Sequence, residues 1–202
     1  MYSETPYRDL PWFSPRPYPW VVEAVENRWW HPGASILDVG CGAGTNALYL
    51  ARSGFKVTGI DLAEGAIAAA RVRAQRAGLE VDFRVADALR IPFPKEHFSG
   101  AIDVGCFHTL PVTLRRSYSK ELARVIRPRG SHALSWVARE HRPALGPPHR
   151  PSLEEVADAL EEEFLFLRTE YRPSPSGRGG KGGFPVYCAR LGRRSSSRPP
   201  RR

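Results

Sequence analysis

An acid leads three alternating glycines in Asp38-Val39-Gly40-Cys41-Gly42-Ala43-Gly44. Lacking a Cβ, Gly40, Gly42 and Gly44 let the backbone bend sharply and approach a ligand closely. A glycine turn alone is a weak signal, but Asp61 follows Gly42 by 19 residues, where a carboxylate can accept hydrogen bonds from both hydroxyls of a ribose. A third acid, Asp87 in Ala86-Asp87-Ala88, stands where it could hold an adenine amino group. Dinucleotide sites use Gly-x-Gly-x-x-Gly, whereas here the acid leads and the glycines alternate. An acid at that point repels a pyrophosphate and suits the ammonium of a methionine moiety. Further on, Asp103-Val104-Gly105-Cys106-Phe107-His108 offers a histidine whose ordinary pKa of about 6.5 suits taking a proton from an alcohol, phenol or thiol. A helix-start or packing role for His108 stays open, because a thiol is partly ionised near neutrality and needs no base. Cys106 reads as a wall of the site rather than a nucleophile.

The elements that must position these residues alternate between strands and helices. That order predicts an α/β fold, doubly wound and Rossmann-like, with a mainly parallel seven-stranded sheet, helices on both faces and a final antiparallel strand. Strand one is the apolar run Ser35 to Val39, and the helix of about Thr45 to Arg52 follows the glycine turn. Strand two, Lys56 to Ile60, ends at Asp61; an alanine-rich helix of about Glu64 to Ala77 then closes on Gly78. Strand three is about Val81 to Val85 and strand four Gly100 to Val104. The next helix spans about Leu114 to Arg127 and is stopped by Pro128; strand five is about His132 to Val137. Ser152-Leu153-Glu154-Glu155 reads as a capping box. The last two strands lie near Phe164 to Tyr171 and Phe184 to Leu191. In these folds ligands bind at the carboxyl ends of the strands, which is where the glycine turn, Asp61, Asp87 and Gly105 all fall.

The chain has 202 residues, enough for one such domain, with 42% apolar and 25% charged residues. Three regions are expected: an aromatic strap and helix at 1–34 covering the site, the sheet domain at 35–191, and a disordered basic tail at 192–202. The first 34 residues hold four of the five tryptophans and six prolines, with a helix from about Pro19 to Trp30. The net charge of +9 is concentrated at the end, where Arg190 to Arg202 carry six arginines and no acids. The remainder, +3, does not mark a nucleic-acid surface. Three cysteines without paired spacing suggest neither disulfides nor a metal site. No apolar run is long enough to span a membrane and no export signal is visible, so a cytoplasmic protein is expected. His141, Arg142 and His149 sit in a proline-rich loop that either borders a substrate pocket or is solvated.

From about residue 17 to 191 the chain resembles the class I S-adenosylmethionine-dependent methyltransferases. Within them it is similar to small bacterial enzymes of the thiol, thiopurine and tellurite methyltransferase kind. Pro11-Trp12-Phe13 resembles that group's strap over the cofactor, and the Gly-Cys-Phe-His block resembles its segment after strand four. Arg127-Pro128-Arg129-Gly130 stands for the group's Arg-Pro-Gly-Gly turn, with Arg129 departing in a way expected to touch turn geometry only.

The resemblance implies S-adenosylmethionine as cofactor and no metal. Asp38, Gly40, Cys41, Gly42 and Gly44 would surround its methionine part, Asp61 and Leu62 the ribose, and Ala86, Asp87 and Ala88 the adenine. Val104 and Gly105 would pass under the sulfonium. Trp12 and Phe13 would wall the cation by cation–π contact or simply pack the strap onto the core. The implied partner is a small-molecule methyl acceptor, with sulfur favoured over oxygen or nitrogen. The alternatives are a nucleic-acid methyltransferase, for which the Asn/Asp-Pro-Pro-Tyr/Phe block of base-amino enzymes is missing after strand four, and a cofactor binder without turnover.

Overall fold

The structure, a computed structural model, describes residues 7, 13–137, 149–173 and 185–195. Its elements run α1 (Pro19–Glu26), β1 (Ser35–Val39), α2 (Thr45–Arg52), β2 (Lys56–Asp61), α3 (Glu64–Ala77), β3 (Asp82–Val85) and β4 (Phe98–Val104), then a single 3-10 turn at Phe107–Thr109. α4 (Val112–Val125), β5 (Ile126–Val137), α5 (Leu153–Leu160), β6 (Phe164–Pro173) and β7 (Pro185–Arg193) complete the fold. The strands form one seven-stranded sheet in the order β3-β2-β1-β4-β5-β7-β6. β1 to β5 pair in parallel, and β7 lies antiparallel between β5 and β6. The expected doubly wound architecture with a final antiparallel strand is the one observed.

Alternate residues of the buried strands feed two cores, as a sheet covered on both faces requires. Ile36, Val57 and Ile102 pack with Trp20, Leu48 and Ile67 from α1, α2 and α3. Leu37, Val39 and Leu134 pack on the other face with Tyr118 and Leu122 of α4 and Val156 and Leu160 of α5. The capping box at Ser152 is present, with the Ser152 hydroxyl accepting from the Glu155 N–H at 3.2 Å and the Glu155 carboxylate accepting from the Ser152 N–H. Gly78 closes α3 in the left-handed region at φ +63°.

Several boundaries differ from the sequence expectation. α1 stops at Glu26 rather than Trp30, because Arg28 takes φ +52° and turns the chain back. Trp29 then meets Trp20 edge to face at 4.9 Å, and Trp30 donates its indole N–H to the Ser131 carbonyl at 3.1 Å. A Cβ on Gly100 would collide with that indole. α4 ends at Val125, and Pro128 lies inside β5 instead of terminating the helix. Ile126 is fully buried and pairs with Phe98 at the start of β4, so the chain becomes extended before the proline is reached. The last strand also runs two residues past Leu191, to Arg193, whose guanidinium donates to the Ala123 carbonyl at 2.9 Å. Residues 196–202 of the expected tail lie outside the described residues.

Candidate active site

The glycine turn leaves β1 at the carboxyl edge of the sheet, and its three glycines have three different reasons to be there. All have positive φ, +67° at Gly40, +54° at Gly42 and +77° at Gly44. A Cβ on Gly40 would come within 2.7 Å of Cys106 Cβ, so this glycine lets the loops after β1 and β4 touch. A Cβ on Gly44 would meet the Phe83 ring at 2.6 Å, which makes it a packing position at the start of α2. At Gly42 a Cβ would meet nothing within 4 Å. Of the three, only Gly42 presents a bare backbone to open space.

Two acids flank this turn. Asp38 ends up almost wholly buried, and its Oδ2 has no partner among the described residues. Burial, then the charges of Asp103 and Asp61, hold its carboxyl well above the usual carboxylate range, against the pull of the Ala47 N–H. Asp61 is tied on both sides, its Oδ2 accepting from the Gly42 N–H and its Oδ1 from the Ala63 N–H, each at 2.9 Å. Each oxygen keeps a further lone pair for a ligand. Beside it Leu62 is 69% exposed, a bare apolar side chain at the rim. Ala86 follows β3 with its N–H bonded to the Asp61 carbonyl at 3.0 Å, and Asp87 accepts from the Leu89 N–H at 2.8 Å in a local turn. Asp61 and Asp87 are thus turn formers and remain open to the solvent side.

β4 supplies a hub that sequence reasoning missed. Asp103 is fully buried and accepts from the Tyr118 hydroxyl at 2.6 Å, the Cys106 N–H at 2.8 Å and the Phe107 N–H at 3.0 Å. Burial pushes its pKa up to about 6 even though these donors oppose the shift. The hub folds the chain after Val104 into the 3-10 turn and so fixes Gly105, Cys106 and His108. Its signal was an acid ending a strand with a tyrosine 15 residues on, on the apolar face of the next helix. Burial and the surrounding carboxylates push the Cys41 and Cys106 thiols well up, so both are neutral walls.

Of the two readings left open for His108, the geometry favours packing over the base role. β4 ends beside Ser135 of β5, where the Gly105 N–H donates to the Ser135 carbonyl at 3.2 Å. Two residues later the Val137 N–H donates to His108 Nδ1 at 3.1 Å, so the imidazole supplies the acceptor that the departed strand no longer does. With Nδ1 accepting, a neutral ring carries its proton on Nε2. Burial, then the charges of Arg150 and Arg115, pull its pKa down to about 4. The nitrogen that could receive a proton is already occupied.

Trp12, His141 and Arg142 lie outside the described residues, and His149 is half-buried without a bond to the residues above. Phe13 meets Tyr7 edge to face at 5.1 Å, and the Arg73 guanidinium of α3 lies 5.5 Å from the Phe13 centroid. Phe13 thus packs against Tyr7 and Arg73. The strap is fastened beside the glycine turn, where Thr45 donates to the Ser14 carbonyl and the Tyr18 N–H to Asn46 Oδ1, both at 2.9 Å. Among the described residues no cluster of side chains could hold a metal ion, and no helix is long and apolar enough to cross a membrane.

Residues 36–130 match the family described as a methyltransferase domain. The chain is 33% identical over 151 residues to the 2-heptyl-1-hydroxyquinolin-4(1H)-one methyltransferase of Mycobacteroides abscessus, a match covering 72% of this chain and 66% of that relative. It is 34% identical over 140 residues to methyltransferase GfsG of Streptomyces halstedii, covering 68% of this chain and 46% of the relative. The chain thus spans no more than about two thirds of the length of these curated relatives. A structure solved for the conversion of a disulfide bond into a thioacetal group during echinomycin biosynthesis superposes with a TM-score of 0.83 at 26% identity, covering 96% of this chain and 90% of that one. TehB from Haemophilus influenzae shares the fold, with a TM-score of 0.70, 20% identity and coverage of 86% of this chain and 61% of its own.

Proposed function

Because the chain belongs to the class I S-adenosylmethionine-dependent methyltransferases, we propose that it transfers a methyl group from that cofactor to a small-molecule nucleophile, with sulfur the favoured acceptor atom. The observation that carries the reading is the pairing of a buried, unpartnered Asp38 oxygen with a Gly42 backbone that faces open space. An uncompensated buried carboxylate is costly, and an ammonium group beside Asp38 removes that cost. Asp61 joins the same turn to the end of β2, with lone pairs left for the two ribose hydroxyls. Leu62 offers an apolar cover for the nucleoside, Asp87 an acceptor for the adenine amino group between Ala86 and Ala88, and Val104 and Gly105 the floor beneath the reacting end. Cys41 lines the turn, and Gly40 and Gly44 give it shape through packing.

When bound, the cofactor supplies a methyl carbon already activated by a positive sulfur. The chain's own task is to align the acceptor behind that carbon and keep water away. Support for a small acceptor comes from the relative named for a hydroxyquinolone, and support for sulfur from the neighbour described by its disulfide-to-thioacetal chemistry. Calorimetry should find micromolar binding of S-adenosylmethionine and S-adenosylhomocysteine, abolished in Asp61→Ala. A wild-type chain that binds neither overturns the reading. A methyl-release assay across thiols, phenols, amines and RNA then tests the acceptor; turnover confined to RNA excludes a small molecule, and turnover without thiols excludes the sulfur preference.

A further inference from the structure

Given that reading of the site, we propose that His108 acts as a fixed hydrogen-bond donor through Nε2–H to an acceptor that arrives already ionised, a thiol or hydroxyl compound acidic enough to be an anion at neutral pH. The geometry leaves the imidazole one free function. Nδ1 is engaged by the Val137 N–H, so the proton sits on Nε2. Nε2 has no partner among the described residues and does not fall among the fully buried unpartnered atoms, in a residue that is half-buried. It lies with Cε1 against Gly105: a Cβ on that residue would be 3.2 Å from Cε1 and 3.5 Å from Nε2. Gly105 has φ +96° and no side chain, which keeps the space between the floor of the site and the imidazole edge free.

The surroundings favour the same role. A histidine base needs an acceptor behind it to hold the imidazolium that forms, as a carboxylate does in hydrolase triads. Behind His108 stands a backbone donor, and the charges acting on the ring belong to Arg150 and Arg115, both positive. Arg115 is itself fixed by the Leu110 carbonyl and by Glu155 at 3.2 Å, so its position does not vary with the ligand. These charges oppose a second positive charge on the ring. The reaction then balances without an enzyme base. The acceptor loses its proton to solvent before it binds, and its lone pair forms the new bond to the methyl carbon. The carbon–sulfur bond breaks with its electron pair returning to sulfur, leaving neutral S-adenosylhomocysteine. Nε2–H holds the anion in line and takes no proton.

Nitrogen NMR on histidine-labelled protein saturated with S-adenosylhomocysteine tests this, with saturation followed separately at the Gly42 amide. Failure of the cofactor reading would show there and not at His108. The His108 ring should appear as the Nε2–H tautomer and stay neutral throughout pH 6 to 8. At pH 8, 4-nitrothiophenolate and 4-nitrophenolate should shift the Nε2 resonance on saturable binding, whereas the uncharged 4-nitroanisole and the cationic benzylamine should not. His108→Gln, which keeps an N–H donor at that position, should bind the anions within a few-fold of wild type, and His108→Leu should lose about tenfold or more. Thermal unfolding of both variants checks that the Val137 end of β5 has kept its place. An Nδ1–H tautomer, a ring that titrates between pH 6 and 7, no saturable response to either anion, or equal losses in the two well-folded variants would each overturn the proposal.

Discussion

Gly40, Gly42 and Gly44 are indistinguishable as letters, yet they face different neighbours, and alanine at each should separate fold from ligand. Gly40→Ala and Gly44→Ala add a Cβ at 2.7 Å from Cys106 Cβ and 2.6 Å from the Phe83 ring. On top of a left-handed backbone penalty of about 1–2 kcal/mol, such crowding costs about 1–3 kcal/mol. Gly42→Ala carries the backbone penalty alone. Urea unfolding should therefore rank Gly42→Ala as the most stable of the three, while calorimetry finds it among the poorest at binding S-adenosylmethionine. A Gly42→Ala chain with wild-type affinity would remove this residue from the cofactor wall. Asp38 gives a second residue-level expectation, with a definite sign. Burial keeps its carboxyl well above the usual range in the free protein, and a cationic ammonium binds the ionised form. Lowering the pH protonates Asp38 before binding, so affinity should fall as the pH is lowered. In Asp38→Asn the pH slope should flatten, and an unchanged slope would assign the dependence to another group.

At the scale of elements, the first residues of β5 hold an avoidable strain. Arg129 is exposed and has φ +64° where the resembling enzymes carry glycine. A non-glycine residue in this region costs about 1–2 kcal/mol, and glycine gives back about 0.5–1 kcal/mol of chain entropy. Arg129→Gly should raise the unfolding free energy by about 0.5–1 kcal/mol with cofactor affinity unchanged; a drop in stability would mean that the arginine makes a contact worth more than its strain. The adjoining Gly130 has no such freedom, since a Cβ there would lie 2.7 Å from the Ser99 carbonyl oxygen. This segment also shows where a sequence stops being informative. β1, β2 and β4 were legible because strands buried on both faces are continuous apolar runs between turn residues. The end of α4 was not, because Ile126 suits a helix as well as a strand and only its partner Phe98 decides. α1 was overextended for the same reason: Trp29 sits at helical spacing, and the reversal at Arg28 leaves no pattern behind. In the site, acids and glycines at strand ends could be read directly, whereas Asp103 became a hub only once α4 delivered Tyr118 to it.

Across the whole molecule, the two-faced core confines several ionisable groups in their neutral forms, and this sets the response to acid. His132 is the clearest case. It lies in the middle of β5 between Ala101 and Leu191, its ring 5.7 Å from Phe164, with neither nitrogen bonded to any described residue. Burial lowers its pKa from 6.5 to about 3. Below pH 6.5 the unfolded chain therefore takes up a proton that the folded chain refuses until about pH 3, so this group removes stability as pH falls through that window. Asp103 works in the opposite sense, because its pKa rises from 3.8 to about 6 on folding. Between those values the folded chain holds the extra proton and gains stability as pH falls. The two tendencies partly offset one another in the wild type, which conceals both. His132→Leu removes one of them and also removes two unpaired buried nitrogens, so the variant should already be more stable at pH 7. Its advantage should then widen by up to about 1.4 kcal/mol for each pH unit from 6.5 down to 4. Urea unfolding of both chains at pH 7, 6, 5 and 4 measures that difference directly. Parallel profiles would mean that His132 reaches water or a partner in solution, and that the core on the α4 and α5 side opens to admit it.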